Sequence, residues 1–177
     1  MKVKKIIPLA LIFLLTTTMV FGQSKRKKRK EANIKWNYEI KCEGISNNGD
    51  FLLKVFSFAD NRSLDMETAK KNAVHGVIFK GIISTDRSCV TQPALVKDIN
   101  KQKEEKAYFD KFFSPGGAYT KFVNLTTGGA IGANDRFIVK IGRKRYHKIG
   151  VMLSVNKNLL RKELEEAGII NKLTSGF

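Results

Sequence analysis

Side chains that carry chemistry in clusters are scarce in this chain. It has two cysteines, Cys42 and Cys89, and two histidines, His75 and His147. Neither pair shows the close spacing of a zinc site, so no metal is expected. The glycine-rich stretch 126–133 lacks the Gly-Lys-Ser/Thr ending of a phosphate loop, and no dinucleotide fingerprint occurs. That stretch reads as a hairpin turn. No Gly-x-Ser-x-Gly elbow is present. Asp60, Asn61, Ser63 and Asp65 lack the ligand spacing, central glycine and closing glutamate of a calcium loop. They read as a turn followed by a helix cap. Glu39, Glu43, Asp50 and Asp135 are candidates for a paired-carboxylate hydrolase, but no spacing brings two of them together. His75 lies beside an apolar helical stripe and reads as a packed residue, and His147 reads as a surface residue. No catalytic residue and no cofactor is expected.

A long apolar run is also missing. Residues 6–21 fall short of the roughly 20 apolar residues that span a bilayer. Lys2, Lys4 and Lys5 precede an apolar core at 6–15, and Val20, Phe21 and Gly22 end it. This is the pattern of a secretory signal, with cleavage expected after Gly22. No cysteine stands at that point to take a lipid, so no transmembrane span or covalent anchor is expected after cleavage. The expected location is the periplasm or the outer membrane, with full secretion as the alternative. In an oxidising compartment Cys42 and Cys89 allow one intramolecular disulfide. The apolar strand face around Cys42 favours the alternative, two buried free thiols.

Acids are the third shortage. The chain has 33 Lys and Arg against 16 Asp and Glu, a net charge of +17. The leader holds three of those lysines and no acid, so the exported chain carries +14. An excess of this size predicts salt-sensitive attraction to polyanions. Two segments concentrate it. Lys25, Arg26, Lys27, Lys28, Arg29 and Lys30 fall within residues 23–34, which are expected to form an arm kept unfolded by like-charge repulsion. Arg143, Lys144 and Arg145, with Lys148 close behind, form a hairpin tip. These ten residues are the candidate polyanion contacts.

Residues 35–177 read as one α+β domain. Trp36, Tyr38, Ile40 and Cys42 alternate with polar residues, which predicts a strand with one wet face. Asn47-Asn48-Gly49-Asp50 predicts a turn into a second, more central strand at 51–59. Met66, Ala69, Ala73, Val77 and Ile78 lie at helical spacing, predicting a helix over 64–80 stopped by Gly81. A second helix is expected over 94–113. Strands follow at 119–125, at 136–141 with Phe137, Val139 and Ile141 inward, and at 146–155 with Ile149, Val151, Leu153 and Val155 inward. Asn156 caps a closing helix over 157–167. Successive hairpins without βαβ units imply two layers, a mostly antiparallel sheet of about five strands with helices packed on it.

Asn72-Ala73-Val74-His75-Gly76, the signal ending before Gln23, and Leu173-Thr174-Ser175-Gly176-Phe177 resemble segments of small uncharacterised secreted proteins of Bacteroidetes. The hairpin and its alanine-faced helix are similar to periplasmic domains of outer-membrane lipoproteins and flagellar accessory proteins. The second resemblance implies envelope assembly or scaffolding. The expected role is a non-enzymatic envelope protein that docks on an envelope protein complex or an anionic lipid or glycan surface. The rivals are an envelope glycan hydrolase with an unfamiliar site and an extracellular nucleic-acid-binding module.

Overall fold

The computed structural model describes residues 36–84, 89–98 and 100–172. The expected leader (1–22), the basic arm (23–34) and the closing residues 173–177 lie outside them. The described residues belong to one compact unit beginning at Trp36. It is an α+β domain with five antiparallel strands: β1 (Tyr38–Ile45), β2 (Phe51–Ala59), β3 (Val123–Leu125), β4 (Arg136–Ile141) and β5 (Lys144–Val155). The helices are α1 (Met66–Phe79), α2 (Lys101–Glu104), α3 (Lys106–Phe112) and α4 (Lys157–Glu166). No described helix is long and apolar enough to cross a membrane.

The long strand β5 organises the sheet. β2 pairs along one edge of it, from Phe51 opposite Val155 to Ala59 opposite His147. β3 and β4 lie end to end on its other edge. β3 pairs with the carboxyl end, Val123 opposite Val155, and β4 with the amino end, Arg136 opposite Ile149. β1 closes the far side against β2. Side chains alternate across the sheet, so Tyr38 and Cys42, Leu53 and Val55, and Ile149, Val151, Leu153 and Val155 face one layer, all buried. There α1 lays Ala69, Ala73, Val74, Val77 and Ile78 on the sheet. The alanines allow the close approach, and Asn72 donates to the Ser57 hydroxyl at 2.8 Å.

Asp65 caps α1 by accepting from the Glu67 N–H. The helix ends at Gly81, whose φ of +79° is open to glycine at little cost. Its N–H returns to the Gly76 carbonyl at 2.8 Å. The chain then docks on the helix end. Val96 and Leu95 donate to the Ile78 and Val77 carbonyls at 2.9 and 3.3 Å, and Ile82 pairs with Gln92.

This docking corrects the expected helix over 94–113. The N–H groups of Leu95 and Val96 serve α1, so helix begins only at Lys101. It is broken at Glu105 (φ −93°, ψ 32°) into α2 and α3. The strand expected over 119–125 is likewise shortened. A 3-10 turn covers Ala118–Phe122, which brings Tyr119 and Phe122, three apart, onto one buried side. The expected free thiols are corrected too. Cys42 and Cys89 form a disulfide with their Cα atoms 6.1 Å apart, pinning the segment after α1 to β1.

Candidate functional site

The β4–β5 hairpin is the chemically distinctive part of the surface. Between residues 136 and 149 it carries six Lys or Arg and no acid. Ile141 pairs with Lys144 across a two-residue loop, Gly142-Arg143. Gly142 has φ +60°, which matches the tight turn with glycine first.

Register sorts its side chains onto two faces. Arg136, Ile138, Lys140, Arg145 and His147 share the side on which Ile149 enters the core. Phe137, Val139, Ile141, Lys144, Tyr146 and Lys148 share the opposite side. The expectation that Phe137, Val139 and Ile141 point inward is therefore corrected. Phe137 and Ile141 are 46% and 45% exposed, and Ile138 on the other face is 64% exposed. The reason is position: α1 lies over β2, β3 and β5, whereas β4 stands outside that layer. Alternation marks a strand with two unlike faces, but does not say which face a helix will cover.

The hairpin's cations differ in their surroundings. Arg143, Lys144 and Arg145 are exposed at the tip. Lys148 is set back, paired to Glu39 at 2.6 Å and lying over the Phe56 ring at 5.0 Å. It covers apolar surface with its stem rather than presenting a free charge. The structure adds two cations that sequence reading missed, Arg62 and Arg136. Arg62 lies in the turn between β2 and α1, and the Arg136 guanidinium donates to its carbonyl at 3.2 Å. Together with His147, Phe137, Ile138 and Ile149 they line a pocket of about 290 Å³. No carboxylate is among these lining residues. The signal for it was the acid-free composition of the hairpin; the contribution of Arg62 depends on a turn 74 residues away in sequence.

The catalytic candidates are placed differently. His75 is 4% exposed. Its ring stacks on Trp36 at 3.7 Å, the Tyr38 hydroxyl meets Nδ1 at 2.5 Å, and Gln102 meets Nε2 at 3.2 Å. Both ring nitrogens are engaged within an aromatic cluster that includes Phe79 and Phe113. Burial pushes the Tyr38 hydroxyl pKa well up, which keeps it a donor. Two of the candidate carboxylates do come together, through Lys54. Its Nζ lies 3.1 Å from Asp135 and 3.8 Å from Glu43. They lie on the sheet face opposite α1, alongside Glu39, in ion pairs. Among the described residues no group of three or more His, Cys, Asp or Glu is placed to hold a metal.

No protein-family model matches the chain, and neither does any curated protein or solved structure. The functional reading therefore rests on the geometry above.

Proposed function

We propose that this is a non-enzymatic, exported accessory protein that docks on an anionic envelope surface through the β4–β5 hairpin. The carrying observation is a hairpin that combines exposed Phe137, Ile138 and Ile141 with five exposed cations, Arg136, Lys140, Arg143, Lys144 and Arg145, and no acid of its own. Large apolar side chains on a surface mark interaction sites. Mixed with Lys and Arg they suit the boundary of a bilayer, where cations meet lipid phosphates and apolar groups enter among the acyl chains. The Cys42–Cys89 disulfide is compatible with export. The enclosure of His75 favours this reading over a glycan hydrolase. Phe137 beside Lys148 resembles what a single-strand nucleic-acid binder needs. Ile138 and Ile141, however, offer no flat ring for a base and favour lipid.

Co-sedimentation with vesicles tests it. The protein is expected to bind phosphatidylglycerol vesicles and leave phosphatidylcholine vesicles unbound. Replacing Arg143, Lys144 and Arg145 by alanine should cost about 3 kcal/mol, on the order of a hundredfold in affinity, at about 1 kcal/mol per cation. Wild-type indifference to lipid charge, or retardation of DNA with no vesicle binding, would defeat the proposal.

A further inference from the structure

We infer that the pocket lined by Arg62, Arg136 and His147 is a specific site for a phosphate monoester borne on the docked lipid surface. This rests on the reading of the hairpin as the docking element. It adds a defined head-group subsite to what would otherwise be diffuse attraction.

Three observations carry it. The first is complementarity. Two guanidinium residues and an imidazole line one concavity, and no carboxylate competes among the lining residues. Guanidinium groups recognise phosphate in forked, two-bond geometry, which lysines cannot reproduce. At the exposed tip, register puts Lys144 and Arg145 on opposite faces, so the tip supplies charge without a shared concavity.

The second is position and partial pre-organisation. One Arg136 nitrogen donates to the Arg62 carbonyl, which restrains the guanidinium at one corner and leaves its other N–H groups to a ligand. Arg62 reaches the pocket from the β2–α1 turn, and His147 and Arg136 from adjacent strands of the sheet. The binding groups therefore come from separate elements of a folded scaffold.

The third is size and neighbourhood. At about 290 Å³ the pocket lies near the lower end of ligand sites, so it takes a head group and not a whole lipid. Ile138, 64% exposed, forms part of its wall. A phosphate held there has an apolar neighbour on the side where its acyl chains would lie. A monoester is favoured over a diester because its second ionisation and third terminal oxygen give two arginines separate partners.

The experiment uses the full chain and two sets of vesicles matched for surface potential, one containing phosphatidic acid and one phosphatidylglycerol. Wild type should bind the monoester vesicles about tenfold more tightly, the gain expected of one added charge-assisted hydrogen bond. The double variant Arg62→Gln/Arg136→Gln should lose that preference, binding the two vesicles equally and both more weakly than wild type by the two charges removed. The tip variant, Arg143, Lys144 and Arg145 to alanine, should weaken both and keep the preference. Equal binding of the two vesicles by wild type, or a preference that survives in the double variant, overturns the subsite and leaves the docking function standing. If wild type binds neither vesicle, the docking function fails. Titration with glycerol 1-phosphate, read by the His147 ring resonances, then decides the pocket alone. Saturable shifts absent in the double variant would retain a phosphate site but overturn its lipid source, and no shifts would overturn the site. Arg62 and Arg136 are exposed, so these variants are expected to fold.

Discussion

Tyr119 joins the buried rings to a surface charge. It is fully buried, and its hydroxyl donates to the Glu67 carboxylate in the first turn of α1. That bond, followed by one from Lys70, holds Glu67 below its ordinary 4.5. A carboxyl whose folded pKa is depressed contributes stability above its unfolded value and loses it as pH falls through the folded value. Tyr119→Phe should therefore destabilise by about 1 kcal/mol at neutral pH. The difference from wild type should shrink as pH falls below 4.5. Urea unfolding of both proteins across that range checks it, and a pH-independent difference would assign the cost to packing instead. Gly81 offers a second residue-scale test. A Cβ there would meet the Gln92 carbonyl oxygen at 2.5 Å and the Ala94 nitrogen at 2.8 Å, both backbone atoms. Its positive φ alone costs roughly 1–2 kcal/mol for any other residue. Gly81→Ala should lose at least that much in equilibrium unfolding, and a variant as stable as wild type would show that residues 92–94 yield easily.

Among the elements, the segment after α1 depends most on one covalent link. Residues 89–98 contain no helix or strand; Leu95 and Val96 are bonded to α1 and Gln92 to Ile82. The disulfide ties this segment to β1 across a sequence separation of 47. Closing a loop of that size stabilises by about 4 kcal/mol through the unfolded chain. Cys42→Ser/Cys89→Ser should show that loss in denaturant midpoint. Amide exchange at Leu95 and Val96 should accelerate ahead of the strands. Uniform exchange across the domain would mean that docking on α1 survives without the link. β4 presents the contrasting case. It lies on the sheet edge, and its exposed Phe137, Ile138 and Ile141 contribute little to the buried core. Ile138→Ser is expected to leave the unfolding midpoint within about 0.5 kcal/mol of wild type, as for ordinary surface substitutions. The same variant should weaken vesicle binding that persists at high salt.

At the scale of the molecule, charge sets range and the hairpin sets contact. A chain at +17 feels an anionic surface across a Debye length, about 10 Å at 0.1 M salt and about 3 Å at 1 M. The arm Lys25–Lys30 carries six of those charges and lies outside the described domain. Its deletion should lower the association rate with anionic vesicles and flatten its salt dependence, while the unfolding midpoint stays the same. Stopped-flow binding at two salt concentrations reads the first, and urea unfolding the second. An unchanged rate would leave the hairpin as the sole attractor.

The sequence by itself determined the features that depend on near neighbours. Alternation from Trp36 to Cys42, the Asn-Asn-Gly-Asp turn, the alanine stripe of α1, and the Asn156 cap with Leu160 and Leu164 below it specify elements whose pattern repeats within a few residues. Those elements stand as read, and so does the α+β class. Three things were settled only by tertiary structure. Leu95 and Val96 give their N–H groups to α1 instead of a helix of their own, because a helix end leaves carbonyls to be satisfied by whatever packs there. The two cysteines meet because β1 and the segment after α1 are brought together, a distance that spacing does not encode. The apolar stripe of β4 lies in the open because exposure is decided by where the helical layer ends. The pocket of Arg62, Arg136 and His147 belongs to the same class: its residues converge through sheet register and a turn far away in sequence, so each alone reads as an ordinary surface group.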